Sequence, residues 1–303
     1  MKLKLLIFLL VFISINIYSQ RTLFVDEFNI ILGSPTKEDK LLSFAKSNNF
    51  TSLILYQLNK VDKRLPLIDP RKNNVLSEFI AKAKLKYDIT SIGASGESAS
   101  FFTNRIQVYN NSRSKPEEKF DVYNLEFEYW SKKASSDGGY YCENYLRDNN
   151  QPCSRIGSFN YFINDLKELK RLSNESNHKV EIDAYVGYFT KNEILEISNY
   201  CDRILLHTSG KSPKMCFSSA KKSLEILSKI KSKIKTSIFF STRMNNMGYW
   251  LKFDSLDSGE ANFFDVMKIK NSSLKKNINI AGFSYHTYSF LEKSISYYRY
   301  RNN

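Results

Sequence analysis

The stretch Phe120 to Trp130 reads FDVYNLEFEYW. As an extended strand, it sends successive side chains to opposite faces. Tyr123, Leu125, Phe127 and Tyr129 share one face; Val122, Asn124, Glu126, Glu128 and Trp130 share the other. Two carboxyl groups and an amide in a row can perform general acid–base chemistry if they face a common, shielded space. On a strand exposed to water the same pattern is ordinary polar-out alternation. The elements around it decide.

The chain has 303 residues and 42% hydrophobic content, enough for one large domain or two small ones. TLFVDEFNI, TSLILYQL, DITSIGAS, the Phe120 stretch, KVEIDAYVGYF, DRILLHTS, TSIFFSTR and INIAGFSYHTY all read as strands. Helical segments fill the gaps: Ser34-Pro35 to Phe50, Asn74 to Tyr87, from about Glu97, FNYFINDLKELKRLS, Lys191 to Tyr200, a lysine-rich amphipathic stretch, Ala261 to Lys276, and Ser289 onward. No Gly-rich turn follows the first strand, which argues against a doubly wound sheet. Eight strand–helix units predict an α/β fold, a (β/α)8 TIM barrel. Both faces of each strand are then covered. Tyr123, Leu125, Phe127 and Tyr129 pack under helices, while Asn124, Glu126 and Glu128 point inward and step up towards the C-terminal mouth. Buried carboxyls cost several kcal/mol unless paired or put to use, and active sites of this fold lie at that mouth.

In residues 1–19, Lys2 and Lys4 precede an apolar run and Ser19 precedes Gln20, the order of a secretory signal peptide. Residues 20–303 are then the exported barrel, a monomer with no stable membrane anchor. The net charge is +14. Its lysines are scattered, the densest group (Lys221, Lys222, Lys229, Lys231, Lys233 and Lys235) reads as the solvated face of a helix, and no nucleic-acid partner is expected. Export permits disulfides. Of three possible pairings, Cys142 with Cys153 and Cys201 with Cys216 close natural short units. No Cys-x-x-Cys or paired-His spacing suggests a metal, and no cofactor is called for.

The Phe120 stretch resembles the fourth-strand signature of family 18 glycoside hydrolases (chitinases and endo-β-N-acetylglucosaminidases), Asp-x-x-Asp-x-Asp-x-Glu. Asp121, Asn124, Glu126 and Glu128 stand at its positions, with Phe120 before and Tyr129 after. SIGAS resembles the family's Ser-x-Gly-Gly, with Ser91 and Gly93 kept and Ala94 at the second Gly. The resemblance implies a secreted barrel that cleaves β-linked N-acetylglucosamine glycans, using the substrate's own acetamido oxygen as nucleophile. It implies Glu128 as proton donor and later base, Glu126 as holder of the acetamido N–H, and no metal.

Three departures stand beside it. Glu126 replaces an Asp, and the added methylene moves the carboxylate. The sixth-strand Met-x-Tyr-Asp becomes His207, Ser209 and Gly210, without the Tyr. The eighth-strand Trp becomes Tyr285 or His286. A catalytically weak or inactive glycan-binding barrel is therefore the alternative. An ordinary acid–base hydrolase would need a further carboxylate, such as Asp183 or Glu181. Asp26, Glu27, Tyr56, Tyr185, Tyr188, His207, Arg243 and Tyr285 are expected to line the mouth, Arg243 as a partner for Glu126 or Glu128.

Overall fold

A computed structural model describes residues 20–230 and 234–302. Eight parallel strands close into a barrel in chain order: β1 (Gln20–Val25), β2 (Ser52–Leu55), β3 (Ser91–Gly96), β4 (Val122–Leu125), β5 (Glu181–Val186), β6 (Arg203–Thr208), β7 (Lys235–Ser241) and β8 (Ile280–His286). β1 pairs with both β2 and β8, which closes the ring. The principal outer helices are α1 (Pro35–Ser47), α2 (Asn74–Lys86), α3 (Gln107–Ser112), α4 (Arg155–Glu175), α5 (Lys191–Ile197), α6 (Pro213–Leu227), α7 (Leu256–Lys270) and α8 (Tyr288–Asn302). This is the (β/α)8 TIM barrel that the strand–helix rhythm predicts.

Local chemistry sets the helix starts. Pro35 and Pro213 occupy first-turn positions, where a missing N–H costs nothing. Ser154, Ser212 and Ser255 accept from backbone N–H groups in the first turns of α4, α6 and α7. Thr190 and Glu193 form a reciprocal capping box at α5. The Ser255 cap starts α7 earlier than apolar spacing alone suggests, and a separate helix, Ser272–Asn277, follows its end. The lysine-rich helix also ends early, at Leu227. Lys235 instead opens β7 and meets Glu181 at 3.2 Å; Lys231 and Lys233 lie outside the described residues.

Two apolar layers follow the strand alternation. Phe24, Ile54, Val122, Tyr185, Leu205 and Phe239 fill the barrel interior, and Tyr123, Leu125, Phe127 and Tyr129 pack between strands and helices. Cys142 and Cys153 are bridged, with Cα atoms 5.0 Å apart. Cys201 and Cys216 are not: both are buried free thiols. β6 separates them, and six extended residues span about 20 Å, far beyond disulfide reach. The expected leader, residues 1–19, lies outside the described residues. Among the described residues no helix is long and apolar enough to cross a membrane.

Candidate active site

The inward face of β4 carries on past the strand. Glu126 N–H donates to Gly96 O at 2.9 Å, one rung beyond Leu125, and the chain then turns into a loop. Asn124 is fully buried and donates from Nδ2 to Ser95 Oγ at 3.0 Å; Ser95 Oγ donates in turn to Glu126 Oε2 at 3.2 Å. Burial, and then the charge of Glu128, push the Glu126 carboxyl up to about 8. It therefore keeps its proton at neutral pH. Glu128 is also raised, by burial first and by the charge of Glu97 second.

Glu97 follows β3 directly and is half-buried. Its Oε2 accepts from the hydroxyls of Tyr140 at 2.8 Å and Tyr145 at 2.6 Å. Tyr145 lies inside the loop closed by the Cys142–Cys153 bridge, and Tyr140 stands two residues before its first cysteine. Tyr141, between them, stacks on Phe127 at 4.0 Å and accepts the Glu128 N–H at 3.0 Å. One loop thus fixes a carboxylate after β3 and the backbone of another after β4. A cavity of about 390 Å³ opens beside them, walled by Tyr56, Ser95, Glu97, Phe101, Glu126 and Tyr145 among others.

Beneath the mouth lies an aromatic floor. Phe24 packs against Tyr56, Phe239 and His286 at centroid distances of 5.7, 5.1 and 5.8 Å. Tyr185 hydrogen-bonds His207 Nδ1 through its hydroxyl at 2.6 Å and meets the Trp130 ring at 5.4 Å. Trp130 lies so close over Gly187 that a Cβ there would stand 2.5 Å from its Cε2. Burial, with Arg243 nearby, takes His286 down to about 4, and burial lowers His207 too. Both imidazoles are neutral at pH 7.

Tyr56, Tyr185, His207, Asn124, Glu126 and Glu128 therefore come together at one end of the barrel. Arg243 is exposed just past β7, and among the described residues it pairs with no carboxylate within 4.0 Å. Tyr285 corrects the sequence reading. It faces outward, fully buried, donating to Glu260 Oε1 at 2.7 Å with its ring against Phe50 and Phe240. His286 is the inward residue, because neighbouring strand positions face opposite ways. Asp26 is engaged elsewhere: it accepts from Ser289 N at 3.0 Å and fastens the start of α8. Glu27 is exposed in a left-handed turn, and Tyr188 is 62% exposed.

Asp183 and Glu181 lie at the opposite end, on the first half of β5. Asp183 takes a two-pronged contact from Arg203 at 2.9 and 2.5 Å, and Glu181 meets Lys235. Asp121, first acid of the fourth-strand motif, is likewise structural, accepting from Lys84 and from Ile92 N–H and hydrogen-bonding His178. Sequence reasoning passed over Glu97, Trp130 and Tyr141. Trp130 was detectable, since it shares the parity of Glu126 and Glu128. Glu97 was detectable as the first residue after the third strand.

No protein-family model matches the chain, and no curated protein does. Solved structures resemble its fold. The AHE enzyme from Alicyclobacillus herbarius does so at a TM-score of 0.50 and 8% identity, over 83% of this chain and 76% of that one. An oxaloacetate acetylhydrolase follows at 0.48 and 10%, over 93% and 78%. A chitinase from Bacteroides thetaiotaomicron stands at 0.47 and 12%, over 92% and 95%. These likenesses are of fold alone, which hosts many chemistries.

Proposed function

We propose that the chain is an exported, monomeric glycoside hydrolase-like barrel. It acts at this mouth on β-linked N-acetylglucosamine-containing glycans, without nucleic acid, metal or cofactor, and Glu128 is its proton donor. One observation carries the reading. Two carboxyls with raised pKa, Glu126 and Glu128, follow β4 at the C-terminal mouth, and Glu126 lines a cavity that also has the rings of Tyr56, Phe101 and Tyr145, which are suited to sugar faces. Burial and the charge of Glu97 raise the Glu128 carboxyl, the direction that suits a group donating a proton to the glycosidic oxygen. Tyr56, Tyr185 and His207 are the proposed sugar contacts, with Arg243 at the rim. The Cys142–Cys153 bridge is compatible with an oxidising compartment.

A catalytically weak glycan binder is the second reading, and the state of Glu126 favours it. A neutral carboxyl still accepts an acetamido N–H through its carbonyl oxygen. It brings no negative charge to an oxazolinium, so substrate assistance is left underpowered.

Turnover and calorimetric binding should be measured on chitotetraose, peptidoglycan and N-glycans. For Glu128→Gln we expect kcat to fall by about 10²–10⁴-fold with binding retained. Turnover that survives this change refutes the assignment of Glu128. Binding without native turnover selects the second reading, and absence of both ends the sugar reading.

A further inference from the structure

We propose that Glu97 is a catalytic residue of this site, the base that activates water, so that hydrolysis does not depend on the substrate's acetamido group. The inference rests on the sugar-hydrolase reading and on Glu128 as proton donor. It starts from the register. Gly96 pairs with Leu125, so the next residues out, Glu97 and Glu126, stand side by side at the mouth. Both line the same cavity of about 390 Å³, which has room for a sugar edge and a water. Neighbouring tyrosines tie Glu97 to Glu128: Tyr140 and Tyr145 donate to the Glu97 carboxylate, and Tyr141 between them accepts the Glu128 N–H.

The hydrogen bonds of Glu97 suit the task. Tyr140 and Tyr145 both donate to Oε2, while Oε1 has no hydrogen-bond partner among the described residues. One oxygen is held and the other left open, so the group is oriented without being consumed. Of the anchoring tyrosines, Tyr145 sits within the disulfide-closed loop and Tyr140 just before its first cysteine. Such support from a rigid surround keeps a reacting group in its working geometry. Asp183 and Glu181 lie at the far end of the barrel, whereas Glu97 reaches the mouth from another strand.

The step balances. The Glu128 carboxyl gives its proton to the glycosidic oxygen as the bond from that oxygen to the anomeric carbon breaks. Glu97 Oε1 takes a proton from a water whose oxygen forms the new bond to that carbon. Glu128 ends ionised and Glu97 protonated, and exchange with bulk water resets both.

The test uses 4-nitrophenyl β-chitobiosides whose sugar at the cleaved bond carries an acetyl, fluoroacetyl, difluoroacetyl or trifluoroacetyl amide. Fluorine weakens the amide oxygen as a nucleophile and leaves a protein base untouched. Native kcat should vary by less than about threefold along the series, because no bond to the amide oxygen forms in the transition state. Glu97→Gln should lower kcat by about 10²–10⁴-fold for every member, and added azide should revive Glu97→Ala with a glycosyl azide as product. A steep fall with fluorination, together with a Glu97→Gln variant as active as the native protein, overturns the proposal and leaves the hydrolase reading standing. No native turnover on any member overturns both. Should the variants fail to fold, the fluorination series on the native protein decides alone.

Discussion

The two ends of this barrel treat acidic side chains in opposite ways. At the N-terminal end three carboxylates meet cations. Asp183 meets Arg203, whose Nη1 also donates to Gln20 Oε1 at 3.0 Å; Asp121 meets Lys84 and His178; Glu260 meets Arg21 at 2.7 Å. At the mouth, Glu97, Glu126 and Glu128 crowd together, and among the described residues no cation stands within 4.0 Å of any of them. Hydroxyls hold Glu97 and Glu126, and a proton stays on Glu126. Burial is common to both ends; compensation is not. Carboxyls that support structure are paired with cations, whereas those at the mouth have none, the arrangement that shifts carboxyl pKa upward.

That contrast can be broken at either end. Asp183→Ala should have the largest effect on stability, about 3–5 kcal/mol in urea denaturation, because it strands Arg203 in the interior. A loss near that of an exposed ion pair would mean that water reaches the pair. Cys142→Ser should come next, at about 2–4 kcal/mol, by releasing the loop that holds Tyr140, Tyr141 and Tyr145. If the loss stays under about 0.5 kcal/mol, the tyrosine contacts hold the loop without the bridge.

Glu126→Gln should be the smallest and the most revealing. The folded-state value of about 8 lies above the ordinary 4.5, so between those pH values the unfolded chain releases a proton that the folded chain keeps. Stability is then full at the acid side of that window and falls as pH rises through it. The Gln variant lacks this loss. It should match the native protein near the acid end and exceed it by roughly 2 kcal/mol at the alkaline end, after discounting for relaxation and water entry. Denaturation curves at several pH values check this, and a pH-independent difference would show that Glu126 is already ionised.

Much of this was legible in the chain, and the misses have physical causes. The alternation from Val122 to Trp130 held beyond the last residue of β4, so the inward set could be read without knowing where the strand stops. Tyr285 was misread because GFSYHTY offers an aromatic ring at either parity. Gly282, Ser284 and His286 are the smaller, more polar set that a barrel interior accepts, and a one-residue shift exchanges faces. Glu97 escaped because it reads as the start of a helix, whereas the helix begins at Ala99 and leaves Glu97 in the turn after β3. The pairing of Cys201 with Cys216 failed because sequence proximity ignores the length of the strand between them. Tyr141 touches Glu128 only through a loop whose path no local pattern encodes.

The seam between β1 and β8 sets the order in which the molecule can be completed. It pairs Gln20 with Gly282, and a Cβ at that glycine would fall 1.9 Å from Gln20 O, so the two ends of the sheet meet in direct backbone contact. A chain emerging from its amino end carries one edge of β1 unpaired until β8 is available. Joining such distant segments adds little thermodynamic cost but slows folding and leaves edges open to foreign strands. The strand that zips the seam also brings His286 against Phe24 and Tyr56. The strand that closes the cylinder is therefore also the one that completes the floor beneath its acids.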